Sequence, residues 1–406
     1  METLVIRTEL DKAAEFLRNS QLVAVPTETV YGLAGNGLDE NAVREIYEVK
    51  GRPAVKPLSL MVSGIEAMDK YCEDVPRAAK RLAKRFWPGP LTIVLKAKDI
   101  VPEIVRAGGE TVGLRCPNHE LTLETIRLAG IPLAAPSANP SGEESPKNAA
   151  KVMEYFDGKI AAVIDGGDCG IGIESSLIDM SKTPYKLLRT GALSEEEIAE
   201  ALSEELFLIG ITGGTGCGKT TALNVLEDMG ALIIDADAVY HKLLRENRDM
   251  LSEIDGRFPG TVIDGELQRK TLGAIVFSDE SELMALNRIT HKYVGEAVNK
   301  LCRDWAMNGG RLAAIDAIEL FGGGLAERCT ATVGVLAAAE TRIQRIMARD
   351  NISREYAQMR VKAQKSDDYF IENCTYTVRN DGEKDKFTKE FSILMQEVLK
   401  NGRYEI

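Results

Sequence analysis

Leu206-Phe-Leu-Ile-Gly-Ile-Thr-Gly-Gly-Thr-Gly-Cys-Gly-Lys-Thr-Thr221 is the stretch from which the second half of this chain is read. LFLIGIT is an apolar run of the kind that fills a buried strand. GGTGCGK supplies a glycine loop, TTALNVLEDM reads as a helix, and ALIID reads as the next strand. Gly213 to Thr220 fit G-x-x-x-x-G-K-[ST], a pattern expected by chance on the order of once in a hundred such chains. Its glycines let successive backbone N–H groups face one concavity, where Lys219 adds a point charge and the helix N-terminus its dipole. Gly214, Thr215, Gly216, Cys217, Gly218, Lys219, Thr220 and Thr221 are therefore candidates to hold ATP. Thr220 is also a candidate ligand for Mg²⁺ carried with the nucleotide.

Working downstream, Asp235 and Asp237 follow the strand ALII, where open α/β sheets face their ligand crevice. One carboxylate there can take a proton from a substrate hydroxyl, and either can instead cap the helix AVYHKLL. Further on, TRIQRIMARDNISREYAQMRVKAQ carries Arg342, Arg345, Arg349, Arg354 and Arg360. Arginines at i, i+3 and i+7 share a helix face and suit bidentate phosphate clamping. Beside a phosphate loop they read as an arginine lid.

Working upstream, SEEEIAEALSEE reads as an acidic helical connector, with the domain boundary placed near Glu204. Residues 1–200 alternate helical stretches (LDKAAEFL, NAVREIYEVK, PRAAKRLAKRF) with strand candidates QLVAVP, LTIVLKA, TVGLRC, IPLAAPS, AAVIDGG and SSLIDM. That alternation predicts an α/β layer structure. The 406 residues thus form two domains, 1–204 and 205–406. Both halves are acidic, with 24 basic and 30 acidic side chains in residues 1–200 and 26 and 32 in the remainder. Bulk charge therefore excludes a basic nucleic-acid platform and stable DNA binding. Seven scattered cysteines without a C-x-x-C pair predict reduced thiols and no structural zinc. No apolar run approaches the ~18 residues of a membrane span, so the expectation is a cytoplasmic chain without a membrane partner.

The C-terminal motifs, in order, resemble dephospho-CoA kinase: ITGGTGCGKTT, IDAD, LQRKTLGAIVF, NRITH, DAIELF, the arginine lid and VRNDG. The resemblance implies a P-loop NTPase-type parallel-sheet kinase domain with a helical lid. It implies transfer of phosphate from ATP to the ribose 3′-hydroxyl of dephospho-CoA, the last step of CoA biosynthesis. Asp237 would be the base, Lys219 and Arg349 would serve the transferring phosphate, and Asn380 would lie near the adenine. Gly322 stands where many members carry Glu, which touches the acceptor pocket. A different small-molecule kinase on the same scaffold is the alternative.

The first half carries cations in VKGRPAVKPL, namely Lys50, Arg52 and Lys56, which can wrap a triphosphate. This segment and PTETVYGLAG, RFWPGPLT, GLRCPNH, APSANPSG, GIESSLID and LLRTGAL together resemble the YrdC/Sua5 family, threonylcarbamoyl-AMP synthase. The resemblance implies a twisted-sheet α/β domain that condenses L-threonine, bicarbonate and ATP to threonylcarbamoyl-AMP and pyrophosphate. That product feeds N6-threonylcarbamoylation of tRNA, with partner proteins of tRNA modification. Lys50, Arg52, Lys56, Asn139 and Arg189 would bind ATP. Arg115 would pair the threonine carboxylate, with Thr29, Ser137 and Ser175 placing threonine through their hydroxyls. Met61 stands where some members have His. The alternative is an RNA-binding module without synthase activity.

Overall fold

The computed structural model describes residues 2–402. The chain clusters into two compact units divided between Glu204 and Glu205, with Met307–Gly309 grouped in the first.

The first unit is built on ten strands: β1 (Leu4–Ile6), β2 (Val23–Val25), β3 (Gly32–Asn36), β4 (Ser59–Met61), β5 (Leu91–Lys96), β6 (Thr111–Arg115), β7 (Leu133–Ala134), β8 (Ala162–Ile164), β9 (Ser176–Asp179) and β10 (Lys186–Arg189). They form one mixed sheet in the order β1-β8-β2-β3-β7-β4-β6-β5-β9-β10. Four of them, β1, β3, β4 and β10, were not expected from periodicity. They are short or glycine-rich, and apolar alternation needs more residues to register. The helix Leu10–Arg18 lays Ala13 and Leu17 on a core with Val23, Val25, Ala34, Ala162 and Ile164. Each buried Val, Leu or Ile among them contributes roughly 1.5–3 kcal/mol.

Register is what assembles one end of this sheet. Met61 pairs with Arg115 where β4 and β6 end in parallel, and Leu91 pairs with Ser176 where β5 and β9 begin. An isolated bridge joins Gly32 to Ser137. The helix Glu40–Lys50 starts on Asp39, whose carboxylate accepts from the Asn41 N–H at 2.8 Å. It stops at Gly51, φ 59°, a left-handed residue of the kind that ends helices. Lys50 and Arg52 therefore flank a fixed corner. The acidic connector forms the helix Glu195–Ser203, opened by a capping box in which Ser194 and Glu197 each bond the other's backbone N–H.

The second unit carries β11 (Phe207–Thr212), β12 (Leu232–Asp235), a short hairpin of β13 (Val262–Ile263) and β14 (Glu266–Leu267), β15 (Leu312–Asp316), β16 (Ala331–Leu336) and β17 (Tyr376–Arg379). The five-stranded sheet runs β12-β15-β11-β16-β17 and every pairing in it is parallel. Its core joins Ile209, Ile211, Val333 and Val335 to Leu226 of the helix Lys219–Asp228 and to Phe387, Phe391 and Met395 of the helix Lys384–Asn401. Parallel register puts Ile211 beside Asp316 and Asp235 beside Asp316, so three strand C-termini open onto one edge. The arginine-rich stretch forms two helices, Ala339–Asp350 and Arg354–Lys362, parted by Asn351 at φ 52°.

Among the described residues no helix is long and apolar enough to cross a membrane. Cys72, Cys116, Cys169, Cys217, Cys329 and Cys374 carry free thiols.

Candidate functional sites

In the first unit a cavity of about 60 Å³ opens at the assembled sheet end, lined by Met61, Arg115, Ser137, Glu174, Ser175 and Arg189 among others. Arg115 is 7% exposed, its guanidinium donating to Glu28 and to Thr29 Oγ1, both at 2.8 Å, and to the Gly89 carbonyl at 3.3 Å. Arg189 donates to the Ser175 carbonyl at 3.0 Å and to Ser175 Oγ at 3.1 Å, and pairs with Glu174. Thr92 Oγ1 and Ser175 Oγ lie 2.8 Å apart. Lys50 is 4% exposed and its ammonium is held by the Ser137 and Asn139 carbonyls. Burial and the neighbouring Arg52 pull Lys50 down to about 8 from the ordinary lysine value, against an upward pull from Glu174.

The structure thus brings together Arg115, Ser137, Ser175 and Arg189, with Lys50 and Asn139 one contact away. Arg52 is half-buried and donates to the Pro57 carbonyl at 3.1 Å, and its charge is felt by Lys50. Lys56 is exposed and is not among the cavity's lining residues. Thr29 stands behind the cavity, fully buried, its hydroxyl bonded to Arg115 and 2.8 Å from the Thr27 hydroxyl. Asn139 donates to the Pro140 and Glu143 carbonyls, bracing its own loop. Glu28 and Glu174 escaped the sequence reading, although both lie inside segments it singled out. Strand pairing alone reveals that each neutralises an arginine from a distant segment.

In the second unit the glycine loop curls over the strand edge around a cavity of about 450 Å³. Gly214, Thr215, Gly216, Gly218, Lys219, Thr220, Asp316, Arg345, Arg349 and Arg360 line it. Glycine is required in the loop for two different reasons. A Cβ on Gly213 (φ 143°) would stand 2.3 Å from the Val335 carbonyl oxygen, and one on Gly218 (φ 100°) 2.0 Å from Asn380 Nδ2. Lys219 Nζ donates to the Gly213 carbonyl at 3.1 Å and lies 3.9 Å from Asp316 Oδ1. That oxygen is buried without a hydrogen-bond partner. Burial raises the Asp316 carboxyl, Lys219 lowers it, and Asp235 and Asp237 raise it again. Asp316 was missed because a single Asp at a strand end has no spacing signature.

Cys217 is 1% exposed, with burial pushing its thiol up, so its part in the loop is through its backbone. Thr221 follows in the helix and is not among the lining residues. Asn380, expected near the adenine, is 5% exposed and braces the loop from beneath: its Nδ2 donates to the Cys217 carbonyl at 2.9 Å and its Oδ1 accepts from Arg345 at 3.3 Å. The five arginines separate into three uses. Arg342 donates to the Thr215 carbonyl at 3.0 Å and Arg345 to the Gly216 carbonyl at 3.3 Å, so both tie the lid helix to the loop. Arg349 and Arg360 face the cavity and share Asp350, whose carboxyl they hold down at about 2. Arg354 pairs with Glu340.

The two aspartates after β12 also part company. The helix begins at Ala236, not Ala238, and Asp235 is its cap, accepting from the Ala238 N–H at 2.8 Å. Asp237 lies exposed in the first turn, uncommitted to capping, and its charge reaches Asp316.

Each unit is therefore a nucleotide-type α/β module: one has a cation-lined cavity at a mixed-sheet end, the other a phosphate loop on a parallel sheet. A family model for Sua5, YciO and YrdC, described as telomere recombination, matches residues 15–191, and one described as dephospho-CoA kinase matches residues 207–386. Threonylcarbamoyl-AMP synthase of Pyrococcus abyssi is 50% identical over 192 residues, 47% of this chain and 56% of that protein. A putative threonylcarbamoyl-AMP synthase of Methanocaldococcus jannaschii is 35% identical over 195 residues, 47% of this chain and 91% of that one. The crystal structure of P. abyssi Sua5 with L-threonine aligns over 81% of this chain and 96% of its own, at 31% identity and a TM-score of 0.48. The chain spans little more than half the length of the first of these relatives. Through its N-terminal half the chain belongs to the Sua5/YciO/YrdC family, and residues 207–386 of its C-terminal half match the dephospho-CoA kinase family model.

Proposed function

We propose that this chain is a bifunctional transferase, with residues 1–204 making L-threonylcarbamoyl-AMP and residues 205–406 phosphorylating dephospho-CoA. For the first activity the carrying observation is the juxtaposition of Arg115 with the Lys50, Arg52 and Arg189 cations around Ser137 and Ser175. N-carboxy-threonine bears two carboxylates, and its carbamate oxygen must attack the α-phosphate of ATP. A P–O bond forms, the α–β bond breaks, and pyrophosphate leaves with the electron pair. Bringing several acidic groups together needs fixed cations and orientation rather than a strong base. Arg115 suits the threonine carboxylate, while Lys50, Arg52 and Arg189 suit the triphosphate. The product would serve N6-threonylcarbamoylation of tRNA. The free thiols of Cys72, Cys116, Cys169, Cys217, Cys329 and Cys374 suit a reducing compartment such as the cytoplasm.

For the second activity the carrying observation is the loop cavity itself, closed on one side by Arg349 and Arg360 and floored by Lys219 and Asp316. Lys219 and the loop N–H groups would hold the phosphates, and Arg349 would meet the charge that spreads over the transferring group. Asp237 would take the proton of the ribose 3′-hydroxyl. Among the described residues no group of three His, Cys, Asp or Glu is arranged to hold a metal alone. Asp316, with its unpartnered buried oxygen, and Thr220 on the same cavity fit a Mg²⁺ that arrives with ATP. When bound, Mg²⁺ neutralises charge on the β- and γ-phosphate oxygens.

Two separate phosphate sites give two ATP-class binding events per chain. Titration calorimetry with a non-hydrolysable ATP analogue should find both, and Lys219→Ala should leave one. A single site lost completely in Lys219→Ala would overturn the synthase reading of the first half.

The lowered Lys50 adds a pH signature. The folded state gives up this proton near pH 8 while the unfolded state keeps it to the ordinary lysine value, so free-protein stability gains from this group as pH rises across that interval. Nucleotide phosphates favour the charged ammonium, so binding at about pH 9 should take up close to one proton, and at about pH 6.5 none. Calorimetry in buffers of different ionisation enthalpy reads this directly. Equal proton uptake at both pH values would contradict a phosphate role for Lys50.

A further inference from the structure

Glu28 and the hydrogen-bond state of Arg115 define how the first site takes its amino-acid substrate. A guanidinium has five N–H donors. In Arg115 the Nε donor goes to the Gly89 carbonyl at 3.3 Å, and Nη2 donates at 2.8 Å both to Glu28 Oε1 and to Thr29 Oγ1. Among the described residues no partner engages Nη1. The arginine faces the cavity with Met61, Ser137 and Ser175. The opposing carboxylate is equally committed: Glu28 Oε2 accepts from the Asn118 backbone N–H at 2.9 Å. Both partners are withdrawn from water, with 8% of the Arg115 side chain exposed and 12% of Glu28.

We infer that Glu28 is a positioning residue that locks Arg115 so that Nη1 alone is presented to the carboxylate of L-threonine. The inference rests on the synthase reading of this site. A side-on, two-nitrogen grip on the substrate would need Nη2 or Nε, and both are taken. The substrate carboxylate is therefore held through Nη1 alone, and the Ser137 and Ser175 hydroxyls are left to select the rest of the amino acid. Glu28 performs a second task. It neutralises a buried cation in the empty site, so the guanidinium keeps one rotamer between turnovers instead of collapsing toward Glu174. A buried charge pair that loses one member leaves the other free to reorient and poorly solvated.

The experiment measures threonine-dependent and bicarbonate-dependent pyrophosphate release from ATP by the full chain, in wild type, Glu28→Gln and Glu28→Asp. Glu28→Gln keeps the shape and one hydrogen bond but drops the charge. The KM for L-threonine should rise at least about tenfold in Glu28→Gln, with KM for ATP within about twofold of wild type. Glu28→Asp keeps the charge, withdrawn by one methylene, and should fall between them. It also gives the reading if Glu28→Gln fails to fold. A merely structural role for Glu28 predicts that both KM values and the melting temperature move together, and that result overturns the inference. So does a threonine KM unchanged in both variants. Absence of threonine-dependent pyrophosphate from the wild-type chain would instead overturn the synthase reading, so the two failures are distinct.

Discussion

Lys219→Ala should form ADP from ATP and dephospho-CoA about 10²–10³-fold more slowly than the unaltered chain, and its threonine-dependent pyrophosphate release should be unchanged. The lysine is the glycine loop's own cation on the cavity wall, and its alkyl stem is fixed by the bond from Nζ to the Gly213 carbonyl. Asp316 stands 3.9 Å away, so removing the ammonium also leaves that buried carboxylate unneutralised. Arg52→Ala should give the mirror result, with pyrophosphate release collapsing and ADP formation persisting. Arg52 shapes the field on Lys50, and in turn feels Glu174 and Arg189. Separate assays of pyrophosphate and ADP on each variant, with circular dichroism to verify folding, check both results. Loss of both activities from either single change in a folded protein would show that the two sites are coupled.

Asp237→Asn should lower dephospho-CoA phosphorylation by at least roughly a hundredfold with ATP binding retained, since general-base assistance is worth about 10²–10⁴-fold. The matched control is Asp235→Asn. Asp235 is the cap of the following helix through its 2.8 Å bond to the Ala238 N–H, and asparagine caps almost as well as aspartate. Turnover in Asp235→Asn should stay near normal, with less than about 1 kcal/mol lost from stability. Single-turnover kinetics with saturating ATP separate the two cases. Near-normal turnover in Asp237→Asn would move the base to Asp235.

These two aspartates also mark where reading the sequence stops. A capping aspartate and a catalytic one have the same composition and the same place after a strand. The difference is whether the helix starts at Ala236 or at Ala238, and element boundaries are set by tertiary packing within a residue or two. The same limit applies to the lid. Arginine spacing predicts one phosphate-facing helix face, yet Arg342 ties a loop carbonyl without lining the cavity, Arg345 both ties the loop and lines the cavity, and Arg349 and Arg360 line it. A side chain's partner lies on another element, and spacing along one helix carries no information about it.

What residue order alone settles here is chemistry that depends on local backbone geometry. Gly213 and Gly218 sit at φ 143° and 100°, backbone that L side chains rarely adopt, so the loop asks for glycine there on local grounds, and the approach of Val335 and Asn380 adds a tertiary reason. The strand-loop-helix succession from Leu206 to Asp228 follows from the same local rules, and so does the capping box at Ser194. The charge pairs needed the fold. Glu28 meets Arg115, Arg189 meets Glu174 and Ser175, and Lys219 approaches Asp316 across separations of 14 to 97 positions. Sheet order, together with the loops and the helix start that the strands carry, brings these residues within reach. A buried charge is tolerated only when its partner is there to meet it, so these pairs became visible when the strands were placed side by side.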